Sequence, residues 1–305
     1  MEGFDVWRRT ALLLILAALS VGAAADGPSQ WEEEAVEWRE QRLERLTAPF
    51  GWLSLVALDF PGEGEWQVGR QADSDLRLIS GPATWGTLYL RGTQAWFEPV
   101  ADGLSVNGQP LTERIQLTVA GDEPATRVSA GSGWFEMARR GDRLVFRARD
   151  QEAETRRDFQ GLDYFDYDPD WRIEARWEPH PESATIPIAD VLGELREQPN
   201  PGRAVFEFGG QTYALEALAA EDQLFFIVAD RTSGRETYGL GRYLYSDLPS
   251  DGRVVLDFNR SYNPPCAFNA YTTCPLPPPE NRLDVRIEAG ELRYRGSGGI
   301  RPSDL

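Results

Sequence analysis

The chain contains no lysine; all 31 of its basic residues are arginine. Schiff-base catalysis and any phosphate loop built on a lysine ammonium are therefore excluded. Histidine occurs once, as His180 within Trp177-Glu-Pro-His-Pro181. A Ser-His-Asp triad or a histidine metal site would have to run through that one residue. Its flanking prolines instead predict an extended connector and an ordinary surface histidine. Cysteine occurs twice, as Cys266 and Cys274. Two thiolates beside one histidine make a poor metal centre, so neither a metal nor a cofactor is expected. No Gly-x-Ser-x-Gly elbow, glycine-rich phosphate loop or His-Glu-x-x-His motif occurs. Carboxylates remain as the available acid–base groups, and there are 49 of them.

Those carboxylates leave a net charge of −18. Such an excess repels phosphate backbones and anionic lipid surfaces, so nucleic acid is not an expected partner. Residues 1–25 read as a secretory signal peptide. Arg8 and Arg9 form its positive start, Ala11–Val21 its apolar run, and Ala23-Ala24-Ala25 the small residues before cleavage. No cysteine follows that run, and no later segment is apolar enough to span a membrane. The mature chain is expected to be periplasmic or secreted, without a membrane span.

The remaining length predicts two mainly β units behind one helix. The helix is read within residues 26–49, over Trp31–Leu46. Trp31, Ala35, Trp38, Arg42 and Leu46 share a face, Ser29 can cap it, and Pro49 ends it. Over residues 50–135 short β-type runs alternate with turns, including the tight-turn dipeptides Asp102-Gly103 and Asn107-Gly108. A second β-rich unit, a barrel or a sandwich, follows over 136–296, with a short helix expected at Ile188–Glu197 and a flexible tail at 297–305. A faint repeat at an offset of 80 residues aligns Asp142, Leu144, Phe146 and Asp150 with Asp222, Leu224, Phe226 and Asp230. If genuine, it would build that second unit from two similar halves.

Within the first unit, Val68-Gly-Arg70, Asp73-Ser-Asp-Leu-Arg-Leu78, Gly86-Thr-Leu88 and Val106-Asn-Gly108 resemble a forkhead-associated domain. That resemblance implies a β-sandwich fold. Members bind phosphothreonine through an arginine and a Ser-Arg-x-His motif, and Arg70 matches the arginine. Pro82-Ala83-Thr84-Trp85 stands where the motif should be, so the resemblance carries the fold and not the phosphopeptide function.

The densest signal is Asp257–Leu283, which holds both cysteines and five prolines between Pro264 and Pro278. Prolines and asparagines at this density predict a loop held in one shape. Cys266 and Cys274 sit close in sequence in a chain expected to be exported, which predicts a disulfide. Closing so short a loop should stabilise by roughly 2–3 kcal/mol. The polar residues of most interest gather in two places in the sequence. On a strand, Arg147 and Arg149 point to one face; Arg242, Tyr243, Asn259, Tyr262 and Asn263 form the second cluster, with Asp257 and Asn259 on a common face. Guanidinium planes with tyrosine hydroxyls and asparagine amides suit a carboxylate, phosphate or sugar.

The Asp257–Leu283 signature, together with Arg147–Asp150, Phe159–Tyr164 and Gly241–Tyr243, resembles a bacterial family of uncharacterised exported proteins known as domain of unknown function 1684. It implies no reaction. The leading expectation is a binding module for a small anionic or polyhydroxylated, sugar-like ligand, held by Arg147, Arg149, Arg242, Tyr243, Asn259, Tyr262 and Asn263. A hydrolase acting on cell-envelope material, with Asp150 and Asp257 as acid and base, is the first alternative. A structural or protein-interaction module using the sandwich edge or the Pro275-Leu-Pro-Pro-Pro279 segment is the second. No particular protein partner is indicated.

Overall fold

The computed structural model describes residues 29–120, 124–301 and 303, so the signal-peptide reading at 1–25 lies outside the described residues. The first element is an 18-residue helix, Gln30–Thr47. Ser29 caps it by accepting from the Glu32 amide at 3.2 Å, and Glu32 and Glu33 meet the positive end of its dipole. Ala48, restricted by the following proline, leaves the helical region and ends it. Ala35, Arg42 and Leu46 are buried, which is the predicted face.

A sandwich of two sheets follows. One is six-stranded, in the order Leu55–Asp59, Arg143–Asp150, Gly133–Arg140, Val128–Ala130, Ser105–Val106, Gln109–Pro110. The other is five-stranded, in the order Leu76–Arg77, Gly64–Gly69, Thr84–Arg91, Gln94–Pro99, Ile115–Leu117. Alternation sends Phe97, Phe135 and Phe146 inward, with ring centroids 5.1 and 5.0 Å apart along the row. Asn107 and Gly108 both have positive φ, the geometry of a tight hairpin turn between short strands. The sandwich does not stop at residue 135. The hairpin Gly133–Asp150 supplies two central strands of the six-stranded sheet, and its outer member pairs with Leu55–Asp59.

The second unit holds a four-stranded sheet (Gln211–Glu216, Gly202–Phe208, Arg172–Pro179, Arg253–Asp257) and a three-stranded sheet (Leu218–Ala220, Gln223–Val228, Arg242–Asp247). Neither closes into a barrel. Phe206, Phe226, Leu244, Leu256 and Phe258 fill the space between them. The helix expected at Ile188–Glu197 is instead a hairpin, Thr185–Ala189 with Leu195–Pro199. Its turn explains the change: Asp190 accepts from the amides of Leu192 and Glu194, and Gly193 takes φ +78°. The two segments of the apparent repeat fall in different units. Arg143–Asp150 lies in the sandwich and Gln223–Val228 in the three-stranded sheet, so the repeat does not build one domain from two halves.

After Asp257 the chain runs in turns and bridges that wrap the second unit. Its tail is docked as far as Ile300, contrary to the flexible segment expected from 297. The Ile300 amide donates to Cys266 O at 2.7 Å, and Tyr238 Oη donates to Ile300 O at 2.7 Å. Gly299 permits this, because a Cβ there would meet Ala267 O at 2.1 Å. Among the described residues, no helix is long and apolar enough to cross a membrane.

Candidate functional site

The helix, the sandwich and the second unit meet around a cleft of about 1170 Å³. Helix positions 31, 34, 38, 42 and 45 recur every three or four residues, so Trp31, Glu34, Trp38, Arg42 and Arg45 form one wall. Phe50-Gly-Trp52 and Arg149 close one end. The second unit supplies the opposite wall, including Arg172, Tyr245, Asp247, Arg253, Asp257 and Tyr262.

Six arginines and four carboxylates line this cleft, a positive surplus in a chain of net charge −18. Three of the arginines are neutralised by the protein itself. Arg42 donates to Glu291 at 2.9 Å and to Asn263 O at 3.0 Å, with its guanidinium 4.6 Å from the Tyr262 ring. Arg260 bridges Glu34 at 3.0 Å and Asp257 at 3.3 Å. Arg253 pairs with Glu174 at 3.2 Å. The other three have no carboxylate partner among the described residues.

Arg149 is half-buried and donates to Gly51 O and, at 3.4 Å, to Ser54 Oγ, with its guanidinium 5.5 Å from the Trp52 ring. Burial, reinforced by the neighbouring charge of Arg147, pulls its pKa down to about 10. Arg172 stacks 3.7 Å from the Trp31 ring. Arg45 is exposed to the cleft and makes no hydrogen bond or ion pair among the described residues. Of these three, Arg149 is the guanidinium that burial penalises and that an anion would compensate most, whereas Arg45 is exposed to solvent.

The predicted residues divide sharply. Arg149, Tyr243 and Tyr262 border the cleft. Arg147 does not; it is held by Glu136. Arg242 is fully buried, donating to the carbonyls of Ala289 and Ile287 beside Asp230, and burial lowers its pKa. Asn259 donates to Asp168 O at 2.9 Å and accepts from the Asp168 amide at 3.0 Å. Asn263 binds Glu291 through its amide and Leu292 O through its side chain. These four lie outside the cleft lining and bond within the fold, with Asn263 Oδ1 buried and unpartnered, so the structure does not bring them to the cleft.

Asp150 lies outside the cleft lining, buried and capping the Glu152 amide at 2.8 Å. Asp257 does reach the cleft. One of its oxygens accepts from Asn259 Nδ2 at 3.1 Å, while Oδ2 has no hydrogen-bond partner and lies 3.3 Å from Arg260 Nε. His180 is tied to Glu216 at 2.8 Å and stays away from the cleft.

The Pro-rich loop is a brace. Asn269 donates to Leu55 O at 2.7 Å, Asn281 donates to Glu216 O at 2.9 Å, and the Leu276 amide bonds Ala189 O. Pro277 and Pro278 are buried, so this segment offers little partner surface. Cys266 and Cys274 are free, buried cysteines side by side, with the Cys266 amide donating to Cys274 Sγ at 3.1 Å. Burial pushes the Cys266 thiol up, and Tyr243 and Tyr262 are raised for the same reason. Among the described residues, no group of three or more His, Cys, Asp or Glu is arranged to hold a metal.

Sequence reasoning missed the aromatic rim. Among the described residues the exposed aromatics are Trp31, Phe50, Trp52, Tyr245 and Tyr271, and all but Tyr271 line the cleft. The available signal was the tryptophan-rich stretch from Trp31 to Trp52, which the helix pattern assigned wholly to packing.

Residues 157–292 match the model of a family described as "Protein of unknown function (DUF1684)". The chain carries a DUF1684 domain. This domain accounts for most of the second unit and for one wall of the cleft. The helix, Phe50-Gly-Trp52 and Arg149 lie outside the matched residues, so the cleft joins the DUF1684 domain to flanking parts of the chain. An uncharacterized protein of Haloarcula marismortui, solved by solution NMR, is 34% identical over 45% of this chain and 78% of that one, with a TM-score of 0.38. No curated protein matches the chain.

Proposed function

We propose that this is an exported protein whose helix, sandwich and DUF1684 domain together bind a small anionic ligand in the shared cleft. Export rests on the signal-peptide pattern of residues 1–25. Binding rests on one observation: Arg45, Arg149 and Arg172 line the cleft without an ion pair among the described residues, in a chain where carboxylates far outnumber arginines. The ligand supplies the missing counter-charge. Arg149 is the strongest donor, because its surroundings are the driest of the three and a charge-assisted hydrogen bond gains most there.

The carboxylate-hydrolase reading keeps only Asp257 in the cleft, and that group is already engaged by Arg260 and Asn259. Binding is therefore preferred over catalysis. In an oxidising compartment the adjacent Cys266 and Cys274 would form the expected disulfide.

Native mass spectrometry of protein recovered from the exported fraction, with a denatured control, tests the reading. An anionic mass released on denaturation is expected. A second arm measures phosphate and acetate binding by calorimetry in the wild type, Arg149→Met and Arg45→Ala. Equal anion affinity in all three chains would overturn the proposal.

A further inference from the structure

The charged groups occupy only part of the cleft. Trp31 and Arg45 lie fourteen residues apart on the helix, which sets them about 21 Å apart along its axis. The cleft volume of about 1170 Å³ also exceeds what a single small anion fills. An anion bound at Arg45 and Arg149 would leave most of that length to the aromatic rim.

The rim is built of rings partly backed by neighbours and partly open to solvent. Arg172 covers one side of Trp31 at 3.7 Å. Trp52 stands beside the Arg149 guanidinium, 5.5 Å from its ring centroid. Tyr245 lies near-parallel to two rings, Phe225 at 4.8 Å and Tyr262 at 6.5 Å, and offers its edge. Each remains more than a third exposed, and the other tryptophans among the described residues are more deeply buried. A ring backed on one face, with the other left to solvent, is a stacking platform. Between the platforms stand groups suited to hydroxyls: Asp247 has no ion pair among the described residues, and Gln223 lies 3.4 Å from it.

From this arrangement we infer that the ligand is an acidic saccharide of two or more rings. Its carboxylate meets Arg45 and Arg149, its sugar faces lie on Trp52 and Trp31, and the exposed edge of Tyr245 borders them. The inference rests on the anion-binding reading above and adds the class of ligand. Pyranose rings present flat C–H faces to aromatic platforms and vicinal hydroxyls to carboxylate and amide groups, and a uronate adds the charge. An extended peptide fits less well, because it would need an open strand edge. Tyr243 exchanges both backbone hydrogen bonds with Tyr262, and Ser246 Oγ donates to Val255 O at 2.7 Å. The strand edge beside the cleft is thus occupied at Tyr243, and Val255 O is taken by a side chain, which shortens the run a peptide could pair with.

The test titrates the full mature chain with tetramers of galacturonate, glucuronate and mannuronate, with their uncharged methyl esters, and with acetate. At least one uronate tetramer should bind tenfold or more tightly than both its ester and acetate. Trp52→Ala and, separately, Trp31→Ala should weaken that tetramer by tenfold or more, a larger factor than either substitution costs acetate. Circular dichroism and the urea midpoint verify that each variant is folded. Arg149→Met should weaken both the tetramer and acetate. Acetate binding that depends on Arg149, with no tetramer binding more tightly, would overturn the saccharide inference and leave the anion reading intact. Tetramer affinity unchanged in both tryptophan variants would have the same consequence. No binding of acetate or of any tetramer would overturn both.

Discussion

Arg42 and Arg45 stand three residues apart on one face of the same helix, yet their surroundings differ in kind. Arg42 is met by Glu291, by Asn263 O and by the Tyr262 ring. Glu291 in turn accepts from the Asn263 amide and from Tyr164 Oη. The charges in that knot answer one another, and the helix is thereby fastened to the DUF1684 domain. Arg45, a turn further along, makes no hydrogen bond or ion pair among the described residues, and Arg149 across the cleft is met by Gly51 O and Ser54 Oγ but by no counter-charge. A guanidinium answered by a buried carboxylate belongs to the fold. One left unanswered at an open wall is available to a ligand.

The largest effect should come from the knot. Glu291→Ala leaves Arg42 buried without its carboxylate, and breaking such a pair costs about 3–5 kcal/mol. Urea unfolding should show that loss. A near-neutral result would mean that the helix is held by Ala35 and Leu46 alone, and the contrast between the two regions would fail.

Next in size is the support beneath the second wall. Gly241 has φ +96°, and a Cβ there would meet Pro277 Cγ at 2.5 Å and Val228 O at 2.8 Å. Gly241→Ala should destabilise by about 1–3 kcal/mol, read from the thermal midpoint.

A pH series gives a further, smaller signal. Burial raises Tyr164, Tyr243 and Tyr262 above the ordinary phenol value. Above pH of about 10 the unfolded chain ionises these phenols while the folded chain keeps them neutral. Their stabilising contribution is complete below that pH and is lost as pH rises beyond it. Arg149, pulled down to about 10, acts in the opposite sense, since the unfolded chain holds its proton longer. Tyr167 and Tyr245 are raised by burial as well, and Arg39, Arg140 and Arg242 are lowered. The five phenols ionise first in the unfolded chain, so the net change just above pH of about 10 is a fall. Urea midpoints on either side of pH 10 should show it, and Tyr164→Phe should make it shallower.

The smallest stability effect belongs to the open region. Arg45→Ala should change stability by no more than about 0.5 kcal/mol, while anion affinity falls severalfold. Loss of stability comparable to that of Glu291→Ala would place Arg45 in the fold and erase the comparison.

The fold was legible where the residue pattern is local. The capped helix follows from Ser29, its acidic first turn and Pro49, and the sandwich strands follow from alternation broken by Asp102-Gly103 and Asn107-Gly108. The hairpin at Thr185–Pro199 was misread because Val191, Leu192 and Leu195 resemble a helical spacing, whereas Asp190 closes a turn there. The candidate site was legible in part. Arg149, Tyr243 and Tyr262 border the cleft, although Tyr243 is buried and spends its hydroxyl on Pro275 O, and Arg147, Arg242, Asn259 and Asn263 have the same chemistry with partners supplied elsewhere in the fold. Composition cannot separate the two groups, because the partners come from distant parts of the chain. Arg42 meets Glu291 across 249 positions, and Asn259 meets Asp168 across 91.

Taken alone, the sequence determined the mainly β character, the capped helix, the absence of lysine chemistry and the DUF1684 signature. Each depends on residue identity or on spacing within a few positions. Only the tertiary structure decided which arginines are answered and which are open. It also turned scattered tryptophans into one rim. Charge compensation and burial are properties of three-dimensional neighbourhoods, and here those neighbourhoods form where the helix, the sandwich and the DUF1684 domain meet.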